Sequence, residues 1–316
     1  MLVVSSALLT DGVRASLIND FPDQTFEFYR SIDEASDRYP YIEILITYGE
    51  DLTPFHIRQM SKLKWIMVIS AGMDLMPFAE IKERNILVTN AKGIHKIPMA
   101  EYAISMFLHL YHKQPIFYEN QKKQAWNRNI LVNEITGKTM TIVGTGEIGQ
   151  ELARIAKAFQ IKTIGVSRNG EPKDYFDEVY PVDELITTLK HADFIVSILP
   201  STNETKYLFQ LAHFKAMPSH SIFLNMGRGD VVSSDVLLSA LNTNQIAHAV
   251  LDVFETEPLP KGHPFWTHEK VTMTPHKSSH SPMYIPRAIT IFRENLKKYS
   301  KGSSNFINEI DIDRGY

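Results

Sequence analysis

The sequence contains no cysteine among its 316 residues. Disulfide bonds, thiolate metal sites and a cysteine nucleophile are therefore excluded. The lack of cysteine fits a reducing compartment, and we expect a cytoplasmic protein. No apolar run approaches the roughly 18–20 residues that are needed to span a bilayer. The apolar N-terminus has no basic residue before its first charge, Asp11, which favours a buried first strand over a signal peptide.

The chain also lacks an excess of charge of either sign. It has 33 Lys and Arg residues against 36 Asp and Glu residues, for a net charge of −3. This balance argues against the concentrated basic face that nucleic acid requires, and we expect neither nucleic acid, membrane nor metal as a partner. Hydrophobic residues make up 44% of the chain, so a large core can form, and the length favours two domains.

Short apolar runs alternate with helical patterns from one end of the chain to the other. One set of predicted strands lies near residues 2–6, 26–29, 42–47, 65–70 and 86–90, and a second set lies between residues 139 and 275. The runs lack polar alternation, which is typical of strands buried on both faces of a parallel sheet. Helices are predicted near 12–19, 31–37, 54–60 and 76–83, and over 97–113 and 286–300. The expected fold class is α/β, with two doubly wound parallel sheets.

A glycine-rich turn opens the second set of strands. The segment GTGEIG (144–149) follows the predicted strand TMTIV and precedes a helical pattern. In this setting one glycine permits the tight turn, one lets the backbone approach a pyrophosphate and one lets the helix pack on the strand. The helix N-terminus adds free N–H groups. We therefore predict a dinucleotide site with contacts at Gly144, Thr145, Gly146, Glu147, Ile148 and Gly149.

The next predicted strand ends in GVSRNGEP (165–172), without the acidic residue that binds adenosine ribose hydroxyls in many such sites. Ser167 and Arg168 stand there instead, and Lys173 follows. A hydroxyl and a guanidinium suit a 2′-phosphate. We therefore expect NADP(H) in preference to NAD(H). The alternative is a solvated arginine beside NAD(H).

Three stretches at the ends of later strands carry groups suited to acid–base chemistry. NMGRGD (225–230) contributes Arg228, LDVFETEP (251–258) contributes three carboxylates, and VTMTPHKSSH (271–280) contributes His276. An arginine can hold the oxygens of a 2-keto acid, an imidazolium can donate a proton, and a nearby carboxylate raises the pKa of the imidazole. Two alternatives stay open: Glu255 is the rival of Glu257, and His280 is the rival of His276.

Together these motifs resemble the D-isomer-specific 2-hydroxyacid dehydrogenases. The resemblance extends over nearly the whole chain and also includes SAGMD (70–74) and ILPSTNET (198–205). It implies reduction of a small 2-keto acid such as glyoxylate or hydroxypyruvate to the D-2-hydroxy acid, in a cleft that closes on the substrate. It further implies a flavodoxin-like substrate domain (1–95 and 283–316), an inserted Rossmann domain (96–282) that binds the dinucleotide, and a homodimer formed through the cofactor domains.

The resemblance also implies roles for individual residues. The predicted catalytic residues are Arg228, which holds the substrate carboxylate and carbonyl, His276, which is the acid/base, and Glu257, which pairs with His276. The predicted substrate loop is Ala71, Gly72 and Met73, acting through backbone N–H groups. Asp252 is expected to bind the nicotinamide carboxamide. The remaining predicted cofactor contacts are Leu199, Pro200, Thr205, Met226, Gly227 and Ser278.

The chain departs from the family pattern in ways that bear on function. The Ser167-Arg168 tip is similar to that of the NADPH-using glyoxylate/hydroxypyruvate reductases. Lys277 and Ser278 replace small and apolar residues after His276, which leaves the shape of that loop open. The segment TYGED (47–51) has no base, and this disfavours 3-phosphoglycerate as substrate.

Three other functions are weighed against reduction of a 2-keto acid. Formate-dehydrogenase-like enzymes have glutamine in place of Glu257, so the glutamate argues against that chemistry. Phosphoglycerate oxidation is disfavoured by the acidic 47–51 segment. A nucleotide-sensing, corepressor-like binding protein would keep the same catalytic trio, so the trio does not exclude it.

Overall fold

The computed structural model describes residues 1–70, 73 and 75–312. The chain forms two compact units. One contains Met1–Ile94 and Ser281–Tyr316, and the other contains His95–His280. Which ligand each unit binds stays a prediction. Within the described residues, no helix is long and apolar enough to cross a membrane.

The first unit contains a five-stranded parallel sheet in the order β2-β1-β3-β4-β5. Hydrophobic clusters cover both faces of this sheet. Val4, Leu45 and Ile66 point into one cluster, whereas Val3, Ile44 and Trp65 point into the other. The strands are β1 (Leu2–Ser5), β2 (Thr25–Phe28), β3 (Ile44–Thr47), β4 (Trp65–Val68) and β5 (Leu87–Asn90).

The second unit contains a seven-stranded parallel sheet in the order β12-β11-β10-β9-β6-β7-β8. Its strands also alternate between two buried clusters, which explains the unbroken apolar runs in the sequence. Both sheets confirm the predicted fold class. The strands are β6 (Thr139–Val143), β7 (Lys162–Ser167), β8 (Glu178–Pro181), β9 (Phe194–Ser197), β10 (Ile222–Asn225), β11 (His248–Leu251) and β12 (Val271–Met273).

Helices connect the strands in both units. They are α1 (Asp11–Asp20), α2 (Pro54–Gln59), α3 (Phe78–Glu83), α4 (Lys96–Tyr111), α5 (Gln114–Lys122), α6 (Glu147–Ala158), α7 (Leu185–Leu189), α8 (Leu211–Ala216), α9 (Ser234–Asn242) and α10 (Tyr284–Ser300). Two sequence predictions need correction. The segment near 31–37 is part of a 3₁₀ helix, Asp33–Tyr41. The helix predicted over 97–113 ends at Tyr111, because Lys113 adopts a left-handed conformation (φ 54°) from which α5 begins.

The order of the seven strands fixes where a ligand can bind. From β6 the chain adds β7 and β8 on one side of the sheet and then returns to add β9 on the other side. The strand order therefore reverses between β6 and β9, which makes this the switch point of the sheet. In open α/β sheets, ligands bind beyond the carboxyl ends of the strands at such a point. The glycine turn, the Ser167-Arg168 tip and the predicted catalytic loops all follow carboxyl ends of this sheet.

Candidate active site

The glycine turn has the close contacts that its sequence predicts. Gly144 has a φ of +112°, and a Cβ on Gly149 would lie 2.1 Å from the Gly144 carbonyl oxygen. The start of α6 can therefore pack on the turn only with glycine at position 149. No described atom lies within 4 Å of the place where a Cβ of Gly146 would stand. The turn thus leaves open space at the N-terminus of a 12-residue helix, which fits a pyrophosphate.

Of the other residues of the turn, two are packed against neighbouring residues and one is exposed. Thr145 is buried, and a Cβ on Gly165 of β7 would lie 2.7 Å from its methyl carbon, so a cofactor contact at Thr145 would use its backbone. Ile148 packs against the core. Glu147 is exposed, and its Oε2 lies 2.9 Å from Nζ of Lys96 on α4. Lys96 therefore compensates a carboxylate that stands beside the predicted phosphate site.

The tip of β7 presents one hydroxyl and one guanidinium. The Ser167 hydroxyl accepts the Gly170 N–H at 3.1 Å, and this bond shapes the turn after the strand. Arg168 is exposed. A hydrogen bond from Thr202, aided by the charge of Arg168, lowers the pKa of the Glu204 carboxyl. The Arg168 guanidinium therefore lies near the loop that carries three other predicted cofactor residues, Leu199, Pro200 and Thr205.

That loop is held by its own threonines and by contact with β10. The Thr205 hydroxyl donates to the Pro200 carbonyl at 2.6 Å and accepts the Thr202 N–H at 2.9 Å. A Cβ on Gly227 would lie 2.5 Å from the Leu199 carbonyl oxygen. The loops after β9 and β10 are thus in backbone contact, and they bring Leu199 beside Gly227. Met226, between β10 and Gly227, is buried.

Arg228 lies on an exposed turn that Asn225 supports. The Asn225 side chain is buried; its Nδ2 donates to the Arg228 carbonyl at 2.9 Å, and its Oδ1 accepts the Gly227 N–H at 3.3 Å. A Cβ on Gly229 would lie 1.9 Å from the Phe254 carbonyl carbon. The arginine turn therefore lies directly against the loop that follows β11.

His276 and Glu257 form the contact that the sequence predicts. Nδ1 of His276 lies 2.8 Å from Oε2 of Glu257. The other carboxylate oxygen, Oε1, accepts the Phe254 N–H at 2.9 Å, which fixes the glutamate. His276 has a φ of +52°, and its own N–H donates to the Asp252 carbonyl at 2.8 Å. Both side chains are partly exposed, so the second ring nitrogen is available to a ligand.

Asp252 is fully buried, and its carboxylate accepts three hydrogen bonds from the histidine loop. Oδ1 accepts from the Thr274 hydroxyl at 2.5 Å and from the Lys277 N–H at 2.8 Å, and Oδ2 accepts from the Ser278 N–H at 2.9 Å. Both loop donors after His276 are backbone groups. The hydrogen bonds of Lys277 and Ser278 to Asp252 therefore do not depend on their side chains, which are the ones that depart from the family pattern.

A family model supplies the decisive comparison. Residues 104–278 match the model described as D-isomer specific 2-hydroxyacid dehydrogenase, NAD binding domain. The chain belongs to the D-isomer-specific 2-hydroxyacid dehydrogenase family. It is an NAD(P)-dependent dehydrogenase that acts on 2-hydroxy or 2-keto acids with a nicotinamide cofactor.

Named relatives and a solved structure agree with this assignment. The chain is 30% identical to glyoxylate/hydroxypyruvate reductase B of Citrobacter koseri, over 83% of each chain. It is 31% identical to D-3-phosphoglycerate dehydrogenase of Methanocaldococcus jannaschii, over 85% of this chain and 52% of that protein. The crystal structure of a D-isomer-specific 2-hydroxyacid dehydrogenase from Xanthobacter autotrophicus, in complex with NADPH, has a TM-score of 0.82 and 26% identity, covering 100% of this chain and 99% of that one.

Glu255 and His280, the rivals of Glu257 and His276, lie in different surroundings. Glu255 is exposed, and its carboxylate accepts the Ser234 N–H at 2.5 Å, which caps the start of α9. Burial and the neighbouring Lys277 and His276 lower the pKa of His280. His280 is therefore harder to protonate than an unperturbed imidazole, which makes it a poor candidate for the proton donor. Both observations favour Glu257 and His276.

The predicted substrate loop lies mostly outside the described residues. Ala71 and Gly72 are not among them. The Met73 side chain is buried in the core of the first unit, so only its backbone remains available for the predicted contact. In the described parts of the chain, no group of three or more His, Cys, Asp or Glu residues is arranged to hold a metal ion.

Sequence reasoning missed several residues that support the site. Asn225 was seen only as part of a motif, and Thr274 and Tyr102 were not singled out. His95, which precedes α4, is half-buried; burial lowers the pKa of its imidazole, and the charges of His280 and Arg228 act in the same direction. His95 therefore lies near Arg228, the residue predicted to hold the substrate carboxylate. Tyr102 and His95 were hidden by their distance along the chain from the motifs. Asn225 and Thr274 lie inside quoted motifs, and the position of Asn225 at a strand end could have indicated a turn-supporting amide.

Proposed function

We propose that this dehydrogenase reduces a small 2-keto acid, such as glyoxylate or hydroxypyruvate, to the D-2-hydroxy acid with NADPH. The observation that carries the proposal is the 2.8 Å contact between His276 Nδ1 and Glu257 Oε2 beside the arginine turn. The similarity to a named glyoxylate/hydroxypyruvate reductase supports the substrate class. Reduction rather than oxidation follows from the choice of NADPH as cofactor.

His276 serves as the proton donor in this proposal. Because Glu257 accepts from Nδ1, the Nε2–H of the imidazolium is left to donate to the carbonyl oxygen as that oxygen becomes a hydroxyl. The Phe254 N–H holds Glu257, so the ring keeps one orientation. The Arg228 guanidinium binds the substrate carboxylate and carbonyl oxygens, assisted by backbone N–H groups of Ala71, Gly72 and Met73.

NADPH, when bound, supplies the hydride. The glycine turn from Gly144 to Gly149 would hold the pyrophosphate, and the loop containing Leu199, Pro200 and Thr205 would flank the adenosine side. Met226, Gly227, Asp252 and Ser278 would lie on the nicotinamide side. Ser167 and Arg168 would bind the 2′-phosphate, because a hydroxyl and a guanidinium are donors where an acid would repel it.

Phosphoglycerate oxidation is the second candidate, and the phosphoglycerate dehydrogenase relative favours it. The loop after β3 argues against a phosphorylated substrate, since Glu50 is exposed there and Asp51 accepts a 2.5 Å hydrogen bond from Thr47. A corepressor-like binding protein would show cofactor binding without turnover. Formate oxidation is disfavoured, because Glu257 stands where that branch has glutamine.

We also propose a homodimer formed through the second unit. The segment from α5 to residue 132 exposes an unusual number of large apolar side chains, which is typical of an interface. The exposed fractions are 92% for Trp126, 86% for Leu131, 54% for Tyr118 and 46% for Ile116.

A matrix of initial rates tests the substrate and the cofactor together. We expect turnover of glyoxylate and hydroxypyruvate with NADPH, slower turnover with NADH, and little turnover of 3-phosphohydroxypyruvate because Glu50 repels its phosphate. A preference for 3-phosphohydroxypyruvate would replace the proposed substrate. Tight NADPH binding without turnover of any 2-keto acid would favour the binding-protein alternative.

His276→Ala tests the proton donor. We expect kcat to fall by about 10²–10⁴-fold, because that is the usual contribution of a general acid. The NADPH dissociation constant, measured by cofactor fluorescence, should stay within about threefold. His280→Ala is the matched control and should keep most of the activity; the reverse pattern would assign the proton to His280.

Arg168→Asp tests the proposed binding of the 2′-phosphate at the tip of β7. We expect the KM for NADPH to rise at least about tenfold, since the loss of one charge-assisted phosphate contact costs roughly 1.5–3 kcal/mol. The KM for NADH should change by less than about threefold. Lys190→Asp, which makes the same change of charge at an exposed residue of α7's C-terminal end, controls for net charge. Equal effects on both cofactors would make Arg168 an ordinary surface residue.

A double variant tests the homodimer. Trp126→Glu combined with Leu131→Glu should convert the dimer to a monomer of 36.1 kDa, because two buried charges would oppose the apolar contact. Light scattering after gel filtration measures the mass. Trp266→Glu, at another exposed tryptophan, should remain dimeric. A monomeric wild-type protein would contradict the proposal.

A further inference from the structure

The loop that carries His276 is connected to helix α4 by a chain of hydroxyl groups. The Tyr102 hydroxyl, on α4, lies 2.7 Å from the Thr274 hydroxyl, and the Thr274 hydroxyl lies 2.5 Å from Oδ1 of Asp252. Asp252 in turn accepts the N–H groups of Lys277 and Ser278, on the far side of the histidine. All of these groups belong to the second unit.

The direction of these hydrogen bonds follows from the chemistry of the groups. A carboxylate only accepts, and a threonine hydroxyl has one proton. Thr274 donates that proton to Asp252, so it must accept from Tyr102. Burial raises the pKa of Tyr102 to about 12, which keeps its hydroxyl protonated and able to donate. The order is therefore Tyr102 to Thr274 to Asp252.

We propose that Thr274 and Tyr102 are positioning residues for His276, acting through the Asp252 carboxylate. Among the hydrogen bonds of the described residues, Asp252 is the only side-chain acceptor that binds donors both before and after His276. Its Oδ1 binds Thr274 before the histidine and Lys277 after it. The Thr274 hydroxyl fixes the carboxylate so that its oxygens face the two N–H groups.

Backbone geometry explains why such support is needed. His276 has a φ of +52°, in the left-handed region that costs a non-glycine residue free energy unless its surroundings enforce it. Its N–H donates to the Asp252 carbonyl, and its Nδ1 must meet Glu257 at 2.8 Å. A loop freed at Thr274 would populate other conformations, and the imidazole would spend less time against Glu257.

The inference rests on the proposed role of His276, and the test separates the two. Thr274→Val removes the hydroxyl at nearly constant volume, whereas Thr274→Ser keeps it. We expect Thr274→Val to lower kcat by about tenfold, the worth of one hydrogen bond to a charged group, with the KM for NADPH nearly unchanged. Thr274→Ser should stay within about twofold of the wild type. Thr272→Val, two residues earlier, removes a hydroxyl that bonds His248 instead and is the matched control.

A second measurement does not depend on turnover. Hydrogen exchange of the cofactor-free protein should be faster in the peptide covering residues 275–280 for Thr274→Val, but not for Thr274→Ser or Thr272→Val. Tyr102→Phe should lower kcat by about threefold in the wild type and have no further effect in Thr274→Val, because the two act in series. Tyr111→Phe, at a second tyrosine of α4, is the control for Tyr102→Phe.

The results separate the proposals as follows. Unchanged exchange and kcat in Thr274→Val would overturn the positioning role, as would an equal loss in Thr274→Ser, which would point to packing. Faster exchange with unchanged kcat would also overturn it, while leaving the proposed function intact. If His276→Ala kept full turnover, the proposed function and the catalytic side of this inference would both be wrong. The exchange data would then show only whether the hydroxyls hold the loop.

Discussion

The buried carboxylate of Asp252 is the contact on which the geometry of the acid–base loop depends. A fully buried charge is costly unless donors surround it, and here three donors come from the segment that encloses His276. The need to satisfy this carboxylate therefore shapes the loop. The left-handed conformation of His276 and its contact with Glu257 become compatible because the loop is held on both sides of the histidine.

Backbone contacts at glycines join the neighbouring loops in the same way. Gly227 lies against Leu199, and Gly229 lies against Phe254, at distances that no side chain would permit. The loops after β9, β10 and β11 consequently pack directly against each other through their backbones. The arginine turn and the glutamate that pairs with His276 are held together by main-chain packing, without a side-chain hydrogen bond between them being required.

The cofactor end of the site is governed by charge. Ser167 and Arg168 replace the usual acid at the tip of β7, and the charge of Arg168 reaches Glu204 on the loop after β9. The pairing of Glu147 with Lys96 likewise removes a repulsion beside the glycine turn. Only the donors at the tip of β7 distinguish the two cofactors, because the pyrophosphate beside Glu147 and Lys96 is common to NADH and NADPH, and Ser167 and Arg168 are therefore the basis for proposing NADPH.

The sequence alone determined the α/β class, the two parallel sheets, the glycine turn and the family, because these depend on local patterns: unbroken apolar runs, glycine spacing and motif order. The family resemblance also implied that Glu257 would pair with His276, whereas the residues alone left Glu255 open as its rival. The split of the 97–113 helix at Lys113 and the 3₁₀ helix at 33–41 were not predicted, because tertiary packing outweighs weak local preference there.

Only the tertiary structure decided how the histidine loop is held. Tyr102 lies on α4, far along the chain from Thr274, and the contacts of the Asp252 carboxylate with the backbone of residues 277 and 278 had no counterpart in the sequence predictions. The rival roles of Glu255 and His280 were likewise separated by their surroundings: Glu255 caps α9, and burial lowers the pKa of His280. Hydrogen bonding between distant segments depends on the folded positions of both partners, which no single stretch of sequence encodes.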